Sequence, residues 1–331
     1  MLTLKTKFIL NTFAIALLIT VFSAHSSLYA LEKFSVAGWS KPISEITNLL
    51  SEPDKGFFKA KGIDLGYVPG TGGGSAITNM LSGAADIAFT DPASFYQALD
   101  RGEKLIAIYN IYPQNVFNVV SPKTRNITKP SDLKGKKIGV YSLSSGTRQN
   151  LQVLLHQVGL SEKDVTIQVT GLLNFAPVIQ GQVDATAATD TGLFVGKLKG
   201  LKEVNVIEVK NYLNVPSDMF VVTEKMYNEK KDLLRRFLSA YKDCTQWMID
   251  KPEEAAKIAK TRSINGRNEA VNLEIIKIRN ISSISKTTEK RGLGHFDLDL
   301  LQKGAKTFKE LGLIRKEIDI TTVVKSDLIP K

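Results

Sequence analysis

Cysteine is almost absent: Cys244 is the only one in 331 residues. No intrachain disulfide can staple the chain, so its own hydrophobic core must hold it. Histidine is nearly as scarce. His25, His156 and His295 stand far apart, with no cysteine or histidine at ligand spacing, which argues against a zinc site. Beyond the first thirty residues no apolar run reaches the roughly 20 residues a membrane-spanning helix needs. No segment repeats with a period of about 20 to 50 residues, so solenoids and propellers are excluded. Acidic residues are outnumbered: 33 Asp and Glu face 44 Lys and Arg, a formal charge of +11. Such an excess suits nucleic acid or an anionic surface. The basic residues are dispersed, however. Their densest clusters, Lys134 to Lys137 and Arg235-Arg236, lack interleaved aromatics, which argues against a nucleic-acid partner. At 43% hydrophobic and 23% charged, the composition is that of a globular protein, and the length favours two domains.

The N-terminus has the form of an export signal. Lys5 and Lys7 precede a mainly apolar stretch from Phe8 to Phe22, and no further Asp, Glu, Lys or Arg occurs before Glu32. Small residues Ser23, Ala24, Ser26, Ser27 and Ala30 follow, the pattern of a cleaved secretory signal over residues 1–30. Cleavage is expected after Ala30, with Ala24 as a second position. Loss of Lys5 and Lys7 takes the charge from +11 to +9. The cleavage region has no cysteine to carry a lipid anchor.

Short β-rich apolar runs then alternate with helical patterns, the mark of an α/β fold with mainly parallel sheets. Strands are predicted at 34–38, 63–68, 86–90, 104–109 and 116–120, with helices after Pro42, over 75–82 and from Pro92 to Arg101. A second block of strands follows at 137–141, 165–169, 183–187 and 205–209, interleaved with helices at 147–158, 175–180 and 192–199. A strand at 219–222 leads into an almost wholly helical stretch to Lys260, broken at Pro252. Residues 261–292 are polar and give no clear period. A helix is predicted over 296–311, and the tail returns to the fold at 318–324.

The run Gly56-Phe57-Phe58-Lys59-Ala60-Lys61-Gly62-Ile63-Asp64-Leu65, then Gly73-Gly74-Ser75 and Leu81-Ser82-Gly83-Ala84-Ala85-Asp86, has a familiar order. It continues with Ile127 to Val140, Gly181-Gln182-Val183-Asp184-Ala185, Val215-Pro216-Ser217-Asp218 and Pro252-Glu253-Glu254-Ala255. Over nearly the whole mature chain these segments resemble periplasmic solute-binding proteins of ABC importers, in the nitrate, taurine, alkanesulfonate and thiamine-pyrimidine-precursor group. The resemblance implies a type II periplasmic binding fold, with two lobes joined by two hinge crossovers. Lobe one would be residues 31–119 plus 217–331 and lobe two residues 120–216, closing on a small polar or anionic solute. It implies a monomer that needs no cofactor and serves an ABC permease with its cytoplasmic ATPase.

Candidate ligand contacts lie at helix starts and strand ends. Gly73, Gly74 and Ser75 open one helix, and Ser144, Ser145, Gly146, Thr147 and Arg148 open another. The free N–H groups there suit an anionic or polar group, and Arg148 offers a bidentate contact. Without a ligand the same segments are simply tight turns. Trp39 follows the first strand, where open α/β sheets place ligands. The resemblance implies that a tryptophan here stacks on a pyrimidine ring, yet Ile43 and Ser44 replace the Asn and His of that pattern. A core position is the other reading of Trp39. Asp91 and Asp190 follow strands in the two lobes and suit an amine or N–H donor, or else cap the next helix. Asn174, Tyr112 and Asp218 complete the set.

Relatives of this fold that synthesise the thiamine pyrimidine rely on a site histidine and a cysteine-rich motif, both missing here. No activated nucleophile or acid/base pair is evident, so a binding protein is expected rather than an enzyme. The binding subunit of a TRAP-type transporter is the alternative from another class, since Gly73-Gly74-Ser75 and Ser145-Gly146-Thr147 are similar to its segments.

Overall fold

The computed structural model describes residues 31–173 and 175–330. The expected signal and Asn174 therefore lie outside the described residues. Strands β1 (Glu32–Ala37), β2 (Ile63–Val68), β3 (Ile87–Thr90) and β4 (Leu105–Tyr112) begin the first sheet. The chain then builds a second sheet from β5 (Phe117–Pro122), β6 (Lys137–Val140), β7 (Thr166–Val169), β8 (Ala185–Thr189) and β9 (Val204–Glu208). β10 (Asp218–Thr223) returns to the first. The orders are β2-β1-β3-β10-β4 and β7-β6-β8-β5-β9. One strand runs against the others in each sheet, β10 in the first and β5 in the second.

Sheets covered on both faces need central strands that are apolar on both faces, and the central strands are, while the edge strands β2, β7 and β9 are partly exposed. In the first sheet Phe34, Val36, Ile87, Phe89, Ile106, Ile108, Phe220 and Val222 join one core. Their neighbours Ala37, Ala88, Leu105, Ala107, Met219 and Val221 join the core on the opposite face. In the second sheet Val119 and Ala187 face one core while Val120 and Ala188 face the other. Each lobe is thus a three-layer α/β unit, as the sequence pattern implies.

The longer helices are α1 (Gly73–Leu81), α2 (Pro92–Asp100), α3 (Gly146–His156), α4 (Asp190–Leu198), α5 (Lys231–Asp250), α6 (Pro252–Arg262), α7 (Glu269–Ser282) and α8 (Leu298–Glu310). α5 carries the aromatic centre of the larger lobe. Phe237 on this helix packs on Phe34 at 4.7 Å, Phe220 at 5.2 Å and Phe58 at 5.4 Å between ring centroids. Phe237→Ala is expected to destabilise the protein by about 3–5 kcal/mol, measured as the shift in denaturation midpoint with the slope unchanged. Cys244 lies two turns further along, fully buried, with Sγ donating to the Tyr241 carbonyl at 3.2 Å.

Two details depart from expectation. β5 belongs to the second sheet from Phe117 onward, so the expected lobe boundary at Val119 falls inside a strand and the first crossing runs from Tyr112 to Phe117. The stretch 261–292, featureless in the sequence, contains α7 and a short helix, Lys286–Arg291. Its periodicity is hidden because Asn272, Arg279 and Asn280 share the buried face with Ile275 and Ile276.

Candidate ligand-binding cleft

The ends of β3 and β10 and the starts of α1, α3 and α4 converge between the lobes. They enclose a cavity of about 210 Å³ lined by Trp39, Glu45, Gly73, Asp91, Phe117 and Tyr141, by Ser145, Gly146 and Thr147, and by Phe175, Asp218 and Arg279, among others. Seven of the sequence candidates therefore share one cavity: Trp39, Gly73, Asp91, Ser145, Gly146, Thr147 and Asp218.

Two carboxylates form the floor on the first lobe. Asp91 directly follows β3 and Asp218 begins β10, and the pairing of Met219 with Thr90 sets the two strand ends side by side. Asp91 caps α2: it accepts from Ser94 N at 2.8 Å and from Ser94 Oγ at 2.9 Å. Burial nevertheless raises its pKa to about 6, outweighing those hydrogen bonds. The Asp218 carboxylate makes no hydrogen bond or ion pair among the described residues. Burial, and then the negative charge of Asp91, hold its carboxyl well above the usual range, against the pull of Arg279. The second lobe presents the opposite character. The first N–H groups of α3, at Gly146 and Thr147, have no partner within the helix. Its hydroxyls are already engaged: Ser145 Oγ lies 2.7 Å from Thr147 Oγ1, which accepts from Tyr141 N at 3.0 Å.

Aromatic side chains make the walls. Trp39 meets Tyr141 edge-on at 6.5 Å and Phe89 at 6.4 Å between centroids. Its Nε1 is buried without a hydrogen-bond partner among the described residues. That orphaned donor, in a residue lining the cavity, favours the ligand-facing reading over a purely structural one.

Other candidates do different work. Gly74 and Ser144 meet each other across the lobes, Gly74 N donating to the Ser144 carbonyl at 3.1 Å. Ser144 Oγ also donates to the Thr71 carbonyl at 3.2 Å, and Ser75 Oγ accepts from Thr71 N at 3.0 Å. These three seal the rim of the cleft. Arg148 turns away and forms a bidentate pair with Glu162, at 2.6 and 2.5 Å, because a matched carboxylate lies closer than the cavity. Tyr112 is buried below the cavity, its hydroxyl donating to the Glu45 carbonyl at 3.2 Å. Asp190 is an ion-pair partner of Arg279 at 2.6 Å. Glu45, Tyr141, Thr191 and Arg279 were not singled out by sequence. Tyr141 and Thr191 follow strands in the second sheet and were findable by the strand-end rule; Glu45 and Arg279 carry no such signal.

Neither histidine nor cysteine lines the cavity among the described residues. His295 Nδ1 sits 3.1 Å from the Gly292 carbonyl, and His156 ends α3.

The NMT1/THI5-like family model matches residues 43–255, more than half of the chain. The chain belongs to this family. Among its relatives, a Haemophilus influenzae protein provisionally named for thiamine biosynthesis is 27% identical over 206 residues, 61% of this chain and 64% of that protein. The chain thus spans just under two thirds of that relative's length. The riboflavin-binding protein RibY of Chloroflexus aurantiacus is 23% identical over 83% of this chain and 80% of its own. In fold the chain is similar to the alkanesulfonate-binding protein of Xanthomonas axonopodis pv. citri, with a TM-score of 0.68 and 16% identity over 89% of this chain and 98% of that one. Its architecture is that of the two-lobed periplasmic solute-binding proteins.

Proposed function

We propose that the chain is the exported solute-binding component of an ABC importer, cleaved after Ala30, and that it captures a compact nitrogenous solute bearing N–H donors. Family membership and the two-lobed fold support the binding role. The site residues proposed are Trp39, Asp91 and Asp218 from the first lobe, with Tyr141, Gly146 and Thr147 from the second. One observation carries the choice of solute: Asp91 and Asp218 are buried on the cavity floor with no basic partner bonded to either among the described residues. An N–H donor or a cation relieves that arrangement, whereas a sulfonate or nitrate brought against the ionised Asp91 carboxylate is repelled. The single ring of an aminopyrimidine suits the small cavity between aromatic walls, with an acceptor atom for Trp39 Nε1 and another for the α3 N-terminus. The relatives named for thiamine biosynthesis and for riboflavin binding point the same way, toward nitrogen heterocycles. The permease and ATPase partners follow from this reading.

A thermal-shift panel at pH 7.5 tests the reading, using 4-aminopyrimidine, riboflavin, an aliphatic amine, taurine, an alkanesulfonate and nitrate. A ligand at a hundredfold its Kd adds about 2.7 kcal/mol, and a shift is expected with 4-aminopyrimidine and with none of the anions. Asp91 must be ionised to accept fully from an N–H donor. Affinity for a neutral donor is therefore expected to weaken below pH 6, by up to about tenfold per unit. A shift with the alkanesulfonate alone would reverse the choice of solute, and no shift with any compound would count against a solute-binding role.

A further inference from the structure

The lobes are held together by unlike contacts on the two sides of the cleft. One rim is uncharged: the Thr71 carbonyl accepts from Ser142 Oγ and Ser144 Oγ, and Gly74 N donates to Ser144. The opposite side is built around a single guanidinium. Arg279 on α7 has a side chain only 1% exposed. Its Nε donates to Glu45 Oε2 at 2.8 Å, within the first lobe. Its Nη2 crosses the cleft to Asp190 Oδ1 at 2.6 Å and Thr191 Oγ1 at 2.9 Å, at the start of α4. Thr191 Oγ1 donates in turn to Glu45 Oε1 at 2.8 Å. The ring of Tyr112 supports the guanidinium from below at 5.3 Å.

We infer that Arg279 is the clasp of the closed state, a positioning residue that couples lobe closure to a charge pair across the cleft. Glu45, Tyr112 and Arg279 all belong to the first lobe and stay together when the lobes part. Asp190 and Thr191 belong to the second and leave with it. Closing therefore adds a second carboxylate to a guanidinium already oriented by the first, in the fork geometry that arginine provides and lysine does not. Opening returns Asp190, with its side chain already 36% exposed, to water. Arg279 keeps its charge satisfied by Glu45 in both states. Because both its carboxylate partners come from the protein, Arg279 holds the lobes together and does not supply a counter-ion to an anionic solute.

The test needs no solute. Labels at Lys197→Cys on α4 and Lys260→Cys on α6 report the distance between lobes, since both positions are exposed and Cys244 is fully buried. In the ligand-free protein, Asp190→Asn is expected to lower the ratio of closed to open molecules about tenfold, the effect of losing one charge-assisted contact. Arg279→Lys, which retains the charge but can reach only one carboxylate well, is expected to give an intermediate ratio. A distance distribution unchanged by Asp190→Asn overturns the clasp. So does a fall in Tm with no change in distance, the signature of a contact that stabilises a lobe without governing closure.

Discussion

Asp218→Asn is expected to abolish high-affinity binding of an N–H-bearing solute and, at the same time, to make the ligand-free protein more stable at neutral pH. A hydrogen bond to a charged group contributes about 1.5–3 kcal/mol, so the affinity loss is expected at about 10- to 150-fold. The stability effect has the opposite sign for a definite reason. Burial and the Asp91 charge raise the Asp218 pKa in the folded state above its unfolded value. Between those two values the folded protein binds the extra proton, so its stability falls as pH rises through that window. Below the unfolded value, about 3.9, the carboxyl is protonated in both states and the penalty vanishes. Asparagine removes the ionisable group. The Tm of the variant should therefore exceed that of the parent at pH 7 to 8, with the gap closing toward pH 4. A variant that loses both binding and stability at pH 7.5 would show that Asp218 is structural.

Gly72→Ala is expected to hold the cleft open. Gly72 has φ 135° and ψ 166°, a region essentially restricted to glycine, where another residue incurs about 1–3 kcal/mol of strain. A Cβ there would also lie 2.4 Å from the Ser144 carbonyl oxygen and 2.9 Å from Ser145 Cα, both backbone atoms of the other lobe. The strain is present whether the lobes are together or apart and is read as a lower Tm. The clash exists only in the closed state and is read as lost affinity, about 100-fold if closure is disfavoured by some 2.7 kcal/mol. Gly74→Ala is the control. Its Cβ would sit 3.3 Å from Ser144 Cβ, a contact that a small shift relieves. Equal effects of the two substitutions on affinity would remove the steric explanation.

The sheets were legible because their central strands are apolar on both faces, which no exposed segment of this length would be. The helix starts were legible because glycine, serine and proline mark where the chain leaves a strand. What those motifs contact was not legible. Ser144 and Gly74 have the composition of an anion-binding turn, yet their polar groups are satisfied by each other across the lobes. Arg148 stands where a ligand contact is expected, but Glu162, fourteen residues on, matches its fork. Tyr112 ends a strand as a site residue would, and supports Arg279 instead. Arg279 itself was hidden for the reason that hid α7: polar residues occupy the buried face of that helix and erase its apolar period. A buried arginine becomes visible only once Glu45, 234 positions earlier, is placed beside it.

The charge of the cleft decides between the solute classes, and one calorimetric comparison reads it directly. The protein from residue 31 onward would be titrated at pH 7.5 with 4-aminopyrimidine and, separately, with an alkanesulfonate of similar size. Saturable heat from the aminopyrimidine, lost in Asp218→Asn, and none from the sulfonate is the expected result. Saturable binding of the sulfonate, undiminished or strengthened in Asp218→Asn, would contradict the assignment of Asp91 and Asp218 as acceptors for an N–H-bearing solute.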